Sequence, residues 1–160
     1  MTDPKRILFV CQGNIVRSPL AEHLFSALAA ERDLSTQFVV DSAGTTAYHQ
    51  GESPDARMRQ TAANHGYEYD GRARRFNPRD LQESDLVIAM DRENLRILRS
   101  SIDAEHEHKL HLMREFDPEA EAEADVPDPY YGGQRGFETT YQIVYRSVQG
   151  LLDSLENDGW

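Results

Sequence analysis

Cysteine is almost missing from this sequence: Cys11 is the only one in 160 residues. No disulfide can form within the chain, and a reducing compartment, the cytoplasm, is the expected setting. Lysine is nearly as scarce, with Lys5 and Lys109 the only two, and 17 basic residues face 28 acidic ones for a net charge of -11. Such a surface repels phosphate backbones, which argues against nucleic acid as a main partner. Long apolar runs are absent as well. No run approaches the roughly 18 residues of a membrane span, and the opening MTDPKRILFV has too little apolar content for a signal peptide, so no membrane partner is expected. Two phosphate-loop signatures, G-x-x-x-x-G-K-[ST] and G-x-G-x-x-G after a strand, are also missing, which removes the nucleotide sites built on them. At this length one domain spanning 1-160 is expected, burying roughly 68 to 70% of its unfolded surface without staples.

What is present is concentrated in ILFVCQGNIVRSPL, Ile7 to Leu20. Ile7, Leu8, Phe9 and Val10 form an apolar run suited to a buried strand, which stops at Cys11 and gives way to a polar turn. Ser18 suits an N-cap, Pro19 the first helical position, and Leu20, Leu24, Ala27 and Leu28 recur at helical spacing. A loop running from a strand end into a helix N-terminus gathers unpaired backbone N-H groups at one spot, where the helix dipole also favours an anion. The amides of Gln12, Gly13, Asn14, Ile15 and Val16 would line that cradle. Arg17 would close it with a fork of donors, and the same positive surroundings favour a Cys11 thiolate. A thiolate, an arginine and a ring of amides around a tetrahedral dianion describe phosphoryl transfer to sulfur.

The remaining pattern alternates strands and helices. Gln37 to Asp41 reads as a second strand, ended by a loop at Ser42 to Thr45. Ser53-Pro54 opens a helix with Met58 and Ala62 on its apolar side and Gly66 just past its end. Arg72 to Arg75 reads as a solvated basic patch. Asn77-Pro78 starts a short helix reaching Glu83. Leu86 to Met90 is the clearest internal strand, Asp91 caps a helix carrying Leu95 and Leu98, and Lys109 to Met113 is a weaker fourth strand. Glu105-His106-Glu107-His108 lacks a third group and reads as polar surface, with no metal site or cofactor expected. Asp117 to Asp128 has no periodicity and reads as a loop. Phe137, Tyr141, Val144, Tyr145, Val148, Leu151, Leu152 and Leu155 then give the last helix one broad apolar stripe. The expected fold is α/β: a doubly wound four-stranded parallel sheet with helices on both faces and the phosphate loop after strand 1, where ligands bind at the strand C-terminal edge.

The sequence VCQGNIVRSP closely resembles the signature loop of the low-molecular-weight protein tyrosine phosphatases, and the likeness extends over nearly the whole chain. A cysteine nucleophile needs a general acid for its leaving group. The resemblance places it at Asp128, within Asp128-Pro129-Tyr130-Tyr131-Gly132, and makes Cys11 the nucleophile and Arg17 the phosphate clamp. It further implies that Asn14, Ser18 and Ser42 brace the loop, that the Ser18 hydroxyl stabilises the thiolate, and that Tyr48, Tyr130 and Tyr131 wall a slot for an aryl group. The implied partner is a tyrosine-phosphorylated protein, such as a bacterial tyrosine autokinase, with the enzyme a monomer or weakly self-associating.

Two positions depart from the family pattern. Val16 stands where members commonly carry a second cysteine able to protect the first as a disulfide. Gly71 stands where members often place a histidine in the bracing network, which puts loop rigidity in question. Three rival readings remain. An arsenate reductase resembling this loop would have to use external thiols, since Cys11 is alone. A phosphoarginine phosphatase is the second, although relatives of that preference carry threonine where this chain has Ile15. A non-catalytic phosphotyrosine-binding module is the third.

Overall fold

The computed structural model describes residues 3-130 and 133-158. Four strands, β1 (Lys5–Cys11), β2 (Phe38–Gly44), β3 (Leu86–Ala89) and β4 (Leu110–Leu112), form one sheet in the order β2-β1-β3-β4. All three pairings are parallel. Among the described residues four α-helices lie between the strands, α1 (Arg17–Glu31), α2 (Ala56–Asn64), α3 (Pro78–Glu83) and α4 (Arg92–Ser100), and a fifth, α5 (Gln134–Asp158), follows the last strand. The sheet and its connections are those expected from the alternating sequence pattern.

The apolar run of β1 has no polar alternation because both faces of the sheet are covered. Ile7 and Phe9 join the core built with α1, α2 and α5. Leu8 and Val10 point the other way, into a second core with Leu81 of α3 and Leu95 and Leu98 of α4. Phe9 and Phe25 are both fully buried, with ring centroids 6.0 Å apart. Truncating either to alanine would cost about 3–5 kcal/mol. The stripe on α5 is buried at Phe137, Tyr141, Val144, Val148, Leu151, Leu152 and Leu155, with Tyr145 packed at its margin.

Several local expectations are corrected. Ser18 does not cap α1: the helix begins at Arg17, its N-cap is Val16, and no side chain caps it. The Ser18 hydroxyl is spent on the cysteine loop instead. β2 does not end at Asp41 but runs on to Gly44, and Ser42, Ala43 and Gly44 pair with Phe9, Val10 and Cys11. Small polar residues read as a turn, yet here they form the strand on which the loop lies. α2 starts later than Ser53-Pro54, with Asp55 as its cap accepting from Arg57 N and Met58 N. The short α3 carries the anticipated cap, a reciprocal box between Asn77 and Asp80, and Gly66 follows α2 at φ +92°.

Candidate active site

Cys11 ends β1, and the chain leaves the sheet edge as a tight loop because Asn14 adopts a left-handed φ of 57°, which asparagine tolerates better than most residues. That turn aims Asn14 N at the Cys11 sulfur, 3.3 Å away. Ser18 Oγ lies 3.0 Å from the same sulfur. Both groups are placed within donating distance of Sγ.

Behind the loop, the Asn14 side chain is fully used. Its Nδ2 donates to Ser18 Oγ at 2.9 Å and to Ser42 Oγ at 3.0 Å, while Oδ1 accepts from Arg74 N at 2.9 Å. Ser42 in turn donates to Glu22 at 2.6 Å. Burial lifts the Glu22 carboxyl above its ordinary value against the opposing pull of that hydrogen bond. Hydrogen bonds thus join Asn14 to Ser18 and Ser42, and Asn14 and Ser18 lie behind the cavity and do not line it.

Two of its supports were missed in the sequence. One is Glu22. The other is Arg74: Arg72 and Arg75 are exposed, as in a solvated patch, but Arg74 is half-buried. Its guanidinium binds Asp80 at 2.9 Å and Asp41 at 2.8 Å, and its amide holds Asn14. The Gly71 departure leaves this bracing intact, because no bond in it needs a side chain at 71.

Two glycines are required by close approach. A Cβ on Gly44 would sit 2.7 Å from the Gln12 carbonyl oxygen, and one on Gly13 would sit 2.9 Å from His49 Cδ2. The loop thus rests directly on β2 on one side and beneath an imidazole on the other.

Arg17 is 3% exposed. Its Nη1 donates to Asp91 Oδ2 at 2.7 Å and to the Val126 carbonyl at 2.9 Å, and its Nη2 lies 3.5 Å from Asp128 Oδ2. Burial alone would lower its pKa. Cys11, then Asp91 and Asp128, outweigh that and hold the guanidinium charged. Asp91 was legible only as the cap of α4, and its second oxygen is the one that orients Arg17.

These groups surround a cavity of about 410 Å³. Its floor is Cys11, Gln12, Gly13, Ile15, Val16 and Arg17, and Asp128 and Tyr130 face them from the loop before α5. Tyr48 stands at the rim, 84% exposed, edge-on to His49 with centroids 4.8 Å apart. Tyr130 N donates to Asp128 Oδ1 at 3.1 Å, and Arg57 stacks over the Tyr130 ring at 5.4 Å. Thr46 and His49 also line the wall and were not singled out in the sequence. Their only signal is that they lie within two residues of Tyr48. Tyr131 lies outside the described residues. Among the described residues no group of three or more His, Cys, Asp or Glu side chains is placed to hold a metal ion.

A parallel α/β sheet whose first strand ends in a buried cysteine, with an arginine six residues on and a carboxylate across the cavity, defines a cysteine-dependent phosphate-ester hydrolase. The model of the family "Low molecular weight phosphotyrosine protein phosphatase" matches residues 6–159, and the chain belongs to that family. A low molecular weight protein-tyrosine-phosphatase of Streptomyces coelicolor is 44% identical over 149 residues, covering 92% of this chain and 91% of that protein. A crystal structure of a protein tyrosine phosphatase from Entamoeba histolytica superposes with a TM-score of 0.93 at 34% identity, covering 98% of this chain and 99% of that one. A Drosophila arginine phosphatase is also similar, with a TM-score of 0.87 at 31% identity over 95% of this chain and 98% of that one. No helix among the described residues is long and apolar enough to cross a membrane.

Proposed function

We propose that residues 1-160 act as one catalytic domain that removes phosphate from phosphotyrosine in proteins through a cysteinyl-phosphate intermediate. The observation that carries this reading is the convergence of Cys11, Arg17 and Asp128 on one cavity, with Arg17 Nη2 3.5 Å from Asp128. In the first step Cys11 Sγ attacks phosphorus and the bond to the aryl oxygen breaks. Asp128 gives that oxygen its proton. In the second step Asp128 takes a proton from water as the water attacks phosphorus, the S-P bond breaks, and inorganic phosphate leaves. Arg17 and the loop amides hold the charge on the transferring oxygens throughout.

The apolar side chains of Ile15 and Val16, together with Tyr48 and Tyr130, favour a flat aryl group. Ile15 supports phosphotyrosine over phosphoarginine, although relatives of both kinds share the fold. The substrate class we assign is a tyrosine-phosphorylated bacterial protein, with a tyrosine autokinase the first to assay. A lone thiol suits a reducing cytoplasm.

The test is hydrolysis of para-nitrophenyl phosphate in EDTA and fresh reductant, with Cys11→Ser and Asp128→Asn alongside. Turnover lost in the first variant and reduced about 10²- to 10⁴-fold in the second is the expected result. A wild type that binds phosphate without turnover would refute the reading in favour of a binding module or reductase. Faster turnover of phosphoarginine than of phosphotyrosine would reassign the substrate.

A further inference from the structure

The segment from Asp117 to Asp128 contains no helix or strand, yet it must deliver Asp128 to within a fraction of an ångström of the leaving oxygen. Its backbone even passes through a left-handed φ of 58° at Glu123. Order is imposed from outside the cavity. The Asp117 side chain is 0% exposed. Its carboxylate accepts from Arg114 Nε at 3.0 Å, from Arg146 Nε at 3.1 Å and from Glu119 N at 2.9 Å. The same Arg114 guanidinium reaches across the segment, donating from Nη1 to the Asp125 carbonyl at 3.2 Å. Arg92 holds Asp125 from the opposite side, N to Oδ1 at 2.8 Å. The next two residues are then fixed in turn: Val126 N donates to Met90 O at 2.8 Å, and Thr140 Oγ1 to Pro127 O at 3.2 Å.

We infer that Arg114 is a positioning residue for proton transfer, clasping the beginning of the acid-bearing segment to its end so that Asp128 arrives in register. The inference rests on the proposed role of Asp128 as the acid. Arg114, Asp117 and Arg146 do not line the cavity, so they act only through the segment. The guanidinium fork suits this task, because Nε serves the Asp117 carboxylate while Nη1, held rigidly beside it, serves the Asp125 carbonyl, whereas a lysine presents a single nitrogen on a flexible stem. Loosening the clasp leaves Cys11 and the loop amides in place, and Arg17 keeps both Asp91 and the carbonyl of Val126, a residue that its own amide still ties to Met90 O. What is lost is the alignment of Asp128, and misplacement by about 1 Å at a reacting group costs on the order of 10²-fold.

The experiment compares kcat/KM for phenyl phosphate, whose leaving group needs protonation, with 2,4-dinitrophenyl phosphate, whose leaving group does not. Wild type, Asp128→Asn, Arg114→Gln and Arg114→Lys are measured, with inhibition by inorganic phosphate as the check on the loop. The lysine variant keeps a cation beside Asp117 and preserves the fold if the glutamine variant does not. The expected result is a loss of about 10- to 100-fold on phenyl phosphate in the Arg114 variants, with dinitrophenyl phosphate turnover and phosphate inhibition unchanged. Asp128→Asn should show the same split, larger. Equal loss on both substrates, or no loss, while Asp128→Asn splits them, overturns the role of Arg114. If Asp128→Asn itself shows no split, the acid assignment fails and the inference falls with it.

Discussion

Replacing Asp91 separates two functions performed by its two carboxylate oxygens. Oδ1 caps α4 by accepting from Asn94 N at 2.7 Å, and Oδ2 accepts from Arg17 Nη1 at 2.7 Å. Both partners are donors. An asparagine has one oxygen, so Asp91→Asn must turn its own NH2 toward one of them. Asp91→Ser retains a good cap, but its single oxygen is taken by α4, and Arg17 Nη1 keeps only the Val126 carbonyl. Because Arg17 is 3% exposed, little water is at hand to replace the lost acceptor. A hydrogen bond to a charged group is worth about 1.5–3 kcal/mol. If that loss falls wholly on the transition state, kcat/KM drops about 10- to 150-fold.

The assay is kcat/KM on para-nitrophenyl phosphate paired with thermal unfolding. Asp91→Ser should lose activity while its cap spares most of the stability. Asp91→Ala should lose a further ~1 kcal/mol with the cap, lowering Tm by about another 2–4 °C. Wild-type kcat/KM in the serine variant would refute the reasoning, since Arg17 would then owe its position to the Val126 carbonyl alone. Activity that falls only in step with Tm would make the effect one of folding.

Two further outcomes follow from the same contacts. Cys11 is the only thiol and Val16 stands one residue before Arg17, so an oxidised Cys11 has no internal thiol to condense with and proceeds to the sulfinic acid. Peroxide inactivation should therefore become resistant to dithiothreitol, and full recovery after excess peroxide would contradict this. Asp117 is a matter of stability and pH. Burial would raise its pKa, but Arg146, the Glu119 amide and Arg114 hold it below the ordinary carboxylate value. A depressed folded-state pKa stabilises the fold above the unfolded value of about 3.9, and that contribution is lost as pH falls through the folded value. Asp117→Asn should be less stable at neutral pH by about 1.5–3 kcal/mol, and its deficit relative to wild type should shrink below about pH 4. A deficit independent of pH would show that shape, not charge, is at stake.

The parts of the site legible in the sequence are those whose causes are local. Cys11 is marked by the end of an apolar run, Arg17 by its spacing from Cys11, and α5 by its threes and fours. Asp128 came from resemblance rather than composition, since 28 acids compete for the role. The parts that escaped depend on distant partners. Arg74 N meets Asn14 across 60 residues, and Arg17 meets Val126 across 109. No periodicity encodes such bonds. Ser18 shows how a correct residue acquires a wrong local role: its hydroxyl suits an N-cap, but the sulfur at 3.0 Å and the Asn14 amide claim it. Gly44 looked like a turn residue because it is small, whereas its smallness admits the Gln12 carbonyl to within 2.7 Å of where a Cβ would lie.

Arg17 also explains how so acidic a chain maintains a site for a dianion. Its guanidinium belongs at once to the cysteine loop, to the cap of α4 through Asp91, and to the acid-bearing segment through the Val126 carbonyl and Asp128. Among the described residues Arg17 is the one arginine or lysine lining the cavity, and Cys11 and both carboxylates keep it charged despite burial. The Asn14 amide, aimed at the Cys11 sulfur, adds a backbone dipole to this charge, and the Asn14 side chain is held from behind by Ser18, Ser42 and Arg74. A net charge of -11 is compatible with phosphate binding because the field that matters there is local, made by a buried arginine and nearby backbone dipoles rather than by a basic surface. It also follows that Asp91, Arg17 and Asp128 form one energetic unit. Shared partners break additivity, so the loss from changing two of them together should differ from the sum of the single losses.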